Sequence, residues 1–128
     1  MELAGHITQT FGTKVEALEL NRENLAKILE KADILVNATS VGMSPKIAET
    51  PVEAGLLRPG LVVYDIVYNP IDTRLLKEAA AAGAKTISGL DMFVWQGALA
   101  FEMWTGQKAP VDLMKKEAAR LLGLQVKG

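Results

Sequence analysis

The 128 residues suffice for one domain with a single apolar core. Hydrophobic residues make up 49% and charged residues 23%, and a net charge of −1 without basic or acidic blocks gives no footing for nucleic acid or an anionic membrane. There is no cysteine, no opening that reads as a signal peptide, and no apolar run near the roughly 18 residues of a membrane span, so a soluble, cytoplasmic protein is expected.

Leu3, Ile7 and Phe11 recur at helical spacing and stop at Gly12, which predicts a helix at the start. Residues 13–20 (TKVEALEL) read as a short strand. Asn21 is placed to cap a helix carrying Leu25, Ile28, Leu29 and Ala32 on one face. Residues 33–38 (DILVNA) form the kind of short apolar run that a parallel strand covered on both faces shows. A long connection over 39–59 holds Gly42, Pro45, Pro51, Gly55 and Pro59, with one helical turn near residues 54–57.

A second apolar strand is expected over 61–67 (LVVYDIV). Asp72 or Thr73 then caps a helix over 74–82, which Gly83 closes. A third short strand over 85–88 leads through Gly89 into an apolar helix over 92–104. Gly106 and Pro110 break the chain before a last amphipathic helix with Val111, Leu113, Met114, Ala118, Leu121 and Leu122. Strands alternating with helices of this length need crossover connections, so the class is α/β with a parallel sheet of about four strands and flanking helices. Ligands of such open sheets bind at the carboxyl ends of the strands. The segments leaving those ends are 37–43, 66–70 and 88–92.

Within 37–43 (NATSVGM), short side chains let backbone N–H groups approach a phosphate or ribose, though the same residues serve as a strand-capping turn. Asp65 lies inside an apolar strand, where it must accept hydrogen bonds from backbone or a neighbouring loop, because an unpaired buried carboxylate is costly. Tyr68 follows Ile66 at a spacing of two, which directs both to one side. A phenol there either bonds a ligand or packs. Met92, Gln96, Leu99 and Met103 share one helix stripe, and a buried Gln96 amide would need backbone, water or ligand partners. His6 has no carboxylate or second ligand nearby and reads as a surface residue. The sequence holds no metal-ligand cluster, serine elbow, phosphate-loop lysine or G-x-G-x-x-G.

Taken in order, residues 32–43 (ADILVNATSVGM), 62–76 (VVYDIVYNPIDTRLL), 82–106 (AGAKTISGLDMFVWQGALAFEMWTG) and the closing helix resemble shikimate dehydrogenase, over about residues 20 to 122. That family reduces 3-dehydroshikimate to shikimate with NADPH, in the pathway to aromatic amino acids. The resemblance implies a partial Rossmann-like fold. It also implies that Ala38, Thr39 and Ser40 line the nicotinamide-side path of NADP, that Ile66 packs on the nicotinamide, and that Gly89 and Met92 complete the pocket. Tyr68 and Gln96 then reach toward the substrate from the cofactor side.

Several family features have no counterpart here. The family's catalytic lysine and aspartate lie in an N-terminal substrate domain, so no catalytic residue is assigned in this chain. The glycine-rich phosphate turn is missing, as is the basic Asn-Arg-Thr segment that grips the 2′-phosphate, and Asn21-Arg22-Glu23 follows the wrong strand for that role. Phe93 stands where leucine is usual. The expectation is a single NADP-binding domain, residues 1–128, lacking the first βα unit and the substrate domain, inactive alone and binding nucleotide weakly. The alternatives are a non-catalytic assembly module and the equivalent part of a quinate/shikimate dehydrogenase. With the first two strands of the order 3-2-1-4-5-6 gone, the strand over 33–38 would expose an apolar edge. Either TKVEALEL moves in beside it or two chains meet, and the expectation is a homo-oligomer, a two-fold dimer with its interface near residues 33–38 or 3–11.

Overall fold

The computed structural model describes residues 2–125. Helix α1 (Glu2–Phe11) ends at Gly12, whose φ of 66° is the left-handed conformation that glycine adopts without steric cost. Helix α2 (Arg22–Leu29) starts on Asn21, in extended backbone, whose side chain accepts from the Asn24 N–H at 2.9 Å. Its C-terminal end is held from a distance. Arg58 donates through Nε to the Leu29 carbonyl at 3.0 Å and through Nη2 to the Ala32 carbonyl at 2.7 Å, partnering carbonyls that a helix end leaves over.

Residues 13–20 form no strand, which corrects the expectation for TKVEALEL. A strand exists through its ladder, and this segment joins none. Val15, Leu18 and Leu20 stay exposed, and the Val15 N–H donates instead to Thr8 Oγ1 at 3.2 Å. The sheet among the described residues therefore has three strands rather than about four: β1 (Ile34–Asn37), β2 (Val62–Asp65) and β3 (Lys85–Ser88), parallel and in the order β1-β2-β3. The connection after β1 contains one 3₁₀ turn, Ala54–Leu56. Helix α3 (Arg74–Ala81) links β2 to β3. Of the two possible caps it uses Thr73, whose hydroxyl accepts from the Leu76 N–H at 3.3 Å.

Register places Leu35, Val63 and Thr86 in one row and Asn37, Asp65 and Ser88 in the next on the same face. On that face Leu29, Val52, Leu57, Leu61, Val63, Leu75, Leu76 and Ala79 form the core, each fully buried leucine among them worth roughly 1.5–3 kcal/mol. The opposite face carries the row Val36–Tyr64–Ile87. Ile34 is 62% exposed and Val36 50%, so β1 is not covered on both faces by the described helices, contrary to the reading of its apolar run.

Helix α4 (Leu90–Thr105) begins two residues before its expected start and stops at Gly106, again left-handed with φ 66°. Helix α5 (Val111–Gln125) packs against α4, where Lys115 pairs with Asp91. No helix among the described residues is long and apolar enough to cross a membrane.

Candidate functional site

At the carboxyl ends of β1 and β2 the chain opens into a cleft of about 470 Å³. One wall is the turn after β1, with Ala38, Thr39, Ser40, Met43 and Ser44. The facing wall is the turn after β2, with Ile66, Val67, Tyr68 and Asn69, and Met92 of α4 closes the side. The two turns are tied directly, the Ser44 N–H donating to the Asn69 carbonyl at 2.9 Å. The cleft thus sits where an open parallel sheet places its ligands.

Beneath the cleft lies a buried polar cluster. Asp65 is fully buried at the last position of β2. Its Oδ1 accepts from Asn37 Nδ2 at 2.9 Å and from the Val67 N–H at 3.1 Å, and its Oδ2 accepts from Thr73 Oγ1 at 2.7 Å. Asn37 extends the cluster into the first turn. Its Oδ1 accepts from the Thr39 N–H at 3.1 Å and from Thr39 Oγ1 at 2.7 Å, while its Nδ2 also donates to the Val41 carbonyl at 3.3 Å. Three donors satisfy a carboxylate that would otherwise carry a severe desolvation cost. The expected backbone acceptor role of Asp65 is present, and two side-chain partners join it.

Of the residues singled out in the sequence, Ala38, Thr39, Ser40, Ile66, Tyr68 and Met92 converge on the cleft. Tyr68 lies half-buried with its ring stacked on Phe93, centroids 4.3 Å apart and planes 18° from parallel. Gly89 and Gln96 do not line it. Gly89 is buried behind the second wall, and a Cβ there would run into the Ile66 carbonyl, so close packing of α4 on that turn requires glycine. Gln96 is exposed rather than buried. Its Nε2 donates to the Phe93 carbonyl at 3.0 Å, so backbone of its own helix supplies the partner.

Met43, Ser44, Val67 and Asn69 also line the cleft without having been singled out. All but Ser44 fall within the segments leaving the strand ends, and that position was their signal. Among the described lining residues there is no lysine, histidine or carboxylate, so the arrangement can orient a ligand through hydroxyls, backbone and apolar contact. A second cleft of about 480 Å³ lies beside α3 and β3, lined by Asp72, Lys77, Thr86, Ser88 and Asp91 among others. Asp72, Lys77 and Thr86 are exposed, and this cleft shares no lining residue with the first. Among the described residues no group of three or more histidine, aspartate or glutamate side chains is placed to hold a metal, and His6 is exposed.

The family model described as Shikimate 5'-dehydrogenase C-terminal domain matches residues 89–118. The NADP(+) shikimate dehydrogenase of Dehalococcoides mccartyi is 48% identical over 121 residues, covering 94% of this chain and 42% of that protein. The chain therefore spans about two fifths of the length of that curated relative. A solved shikimate dehydrogenase in complex with NADP+ superposes with a TM-score of 0.82 at 40% identity, over 94% of this chain and 42% of that one. The Thermus thermophilus shikimate 5-dehydrogenase in complex with NADP(H) and shikimate gives 0.72 at 39% identity, over the same shares of each chain. Sequence and fold agree that the chain is similar to the C-terminal part of shikimate dehydrogenases.

Proposed function

We propose that this chain supplies the cofactor-binding part of a shikimate dehydrogenase, which reduces 3-dehydroshikimate to shikimate with NADPH in aromatic amino acid biosynthesis. The observation that carries the reading is the convergence of Ala38, Thr39, Ser40, Ile66 and Met92 on one cleft at the strand carboxyl ends, in a chain whose solved relatives include NADP complexes. The fit is chemical as well as positional. A nicotinamide ring needs an apolar platform with small polar groups at its rim, which Ile66 and Met92, with Thr39 and Ser40, provide.

NADPH, when bound, supplies the hydride. The residues of this chain orient the ring and keep water from one side. Tyr68 is held toward the cleft by its stacking on Phe93, ready to meet the substrate. Gln96 is assigned to the substrate as well, and to reach it the amide must give up its bond to the Phe93 carbonyl. Gly89 serves the pocket indirectly, by letting α4 approach the Ile66–Val67 backbone. The 128 residues are read as one nucleotide-binding domain, and the reading implies a cytoplasmic enzyme. The edge of β1, which residues 13–20 leave uncovered, supports association of two copies there.

Hydride transfer also needs a proton donor beside the carbonyl oxygen, general acid–base help being typically worth ~10²–10⁴ in rate. With no lysine, histidine or carboxylate in the cleft lining, the isolated chain is expected to show no shikimate-dependent reduction of NADP+. It is expected to bind NADPH only in the millimolar range, about −4 kcal/mol or weaker, since a Rossmann fold grips pyrophosphate chiefly at its first βα turn. The decisive experiment joins these residues to the part of the Dehalococcoides relative that they do not match, with its substrate domain and first βα unit. A folded chimera should reduce NADP+ with shikimate, and a folded chimera without turnover sinks the reading.

A further inference from the structure

We infer that the buried carboxylate of Asp65 is the positioning group of the cleft, setting the turn after β1 against the turn after β2 through Asn37 and the Val67 N–H. The inference rests on the proposed function for what the cleft binds, and on geometry alone for what Asp65 does. Asp65 does not line the cleft, yet its Oδ1 takes one donor from each wall: Asn37 Nδ2 at the root of the first turn and the Val67 N–H within the second. Asn37 passes the constraint outward, accepting from the Thr39 N–H and hydroxyl, and Thr39 is itself a cleft residue. The other oxygen, Oδ2, is fixed by Thr73, the cap of α3, so the carboxylate is referenced to the helix that carries the core. Two walls and one helix are thus registered on a single side chain.

The chemistry explains why an acid occupies this place. Residues 61–67 are otherwise apolar or aromatic, and a valine at position 65 would avoid the desolvation cost of a buried charge. Exchanging a buried polar group together with all its partners for apolar side chains is often neutral or stabilising, so bulk stability alone gives no reason for the Asp65–Asn37–Thr73 cluster. What it adds is direction. Charge-assisted hydrogen bonds are shorter and roughly twice as strong as neutral ones. Asp65, Asn37 and Thr73 are all buried, where no water substitutes for a misplaced partner.

The test uses the whole chain with Asp65→Asn, Thr73→Val and Thr73→Ser, and two readouts. In the ligand-free chain, hydrogen exchange at the Thr39 and Val67 amides should rise roughly tenfold in Asp65→Asn and Thr73→Val, about the equilibrium equivalent of one hydrogen bond. The Val62 amide of the β1–β2 ladder should move less. Thr73→Ser, which keeps the hydroxyl, should stay within about twofold of the parent. NADPH titrated by its fluorescence should bind several-fold more weakly to the first two variants, and to the serine variant as to the parent. If all amides speed up together, or if only melting temperature falls while the cleft amides exchange as in the parent, Asp65 is an ordinary core residue and the inference is overturned. Should Asp65→Asn fail to fold, Thr73→Val, which lies outside the cleft, carries the same comparison. A parent chain that shows no NADPH binding even at tens of millimolar counts against the cofactor reading, while the exchange pattern still decides the positioning role.

Discussion

The two faces of the three-stranded sheet carry similar side chains and have opposite fates. Leu35 and Val63 point to the face where α2, the 3₁₀ turn and α3 close over them, and Val63 is completely buried. Ile34 and Val36, alternating with Leu35 on the same four-residue strand, stand on the other face and keep half or more of their surface exposed. Alternation assigns each side chain to a face, but only an element packed on that face turns apolar character into stability. Within this chain α3 does that for one face and no described helix does it for the other.

The sharpest way to test the comparison is to empty one position on each side. Leu75→Ala, in the fully buried face of α3, should cost about 2–5 kcal/mol in urea unfolding, the transfer loss plus the cavity left behind. Next in size is Gly89→Ala. The new Cβ meets the Ile66 carbonyl, so α4 or the second cleft wall must shift, at about 1–3 kcal/mol. A melting temperature unchanged by that substitution would show that the contact is easily relaxed. On the open face, Val36→Lys should leave the unfolding free energy of the single chain within about 0.5 kcal/mol. In light scattering the same charge should abolish association through the β1 edge, because charged side chains on an edge strand block pairing with another chain. A parent chain that is monomeric at tens of micromolar, or a dimer that survives Val36→Lys, would remove the β1 edge as the interface. The smallest effect is expected from Gln96→Ala. Its amide is exposed and bonds only its own helix among the contacts observed, so stability should change by less than about 0.5 kcal/mol and NADPH affinity not at all.

Much of the cleft lining was legible because its residues follow strands directly. A segment that leaves the carboxyl end of a parallel strand has few places to go, so Ala38, Thr39, Ser40, Ile66 and Tyr68 came together as their positions implied. Gln96 did not follow its stripe inward. The stripe of Met92, Gln96, Leu99 and Met103 has the spacing of a core face, yet Leu99 and Met103 are exposed with it, at 59% and 81%. Periodicity identifies a face of a helix and leaves open what, if anything, covers that face. Gly89 shows the same limit from the other side. Its φ of −69° suits any residue, and the reason for glycine lies in the Ile66 carbonyl, 23 positions away in the chain.

What the sequence determined by itself is local. Asn21 and Thr73 cap helices, Gly12 and Gly106 end them in the left-handed region, and the short apolar runs become β1 and β2. These outcomes depend on backbone groups within one turn and on side-chain alternation, both set by neighbours in the chain. Tertiary structure decided the rest. Residues 13–20 have the composition of a strand but acquire no ladder, and β1 has the composition of a doubly covered strand but is covered once. The carboxylate of Asp65 found its donors 28 residues back at Asn37 and 8 ahead at Thr73. Ladder, cover and buried partner are all contributed by segments distant in sequence, and no local pattern states which distant segment will arrive.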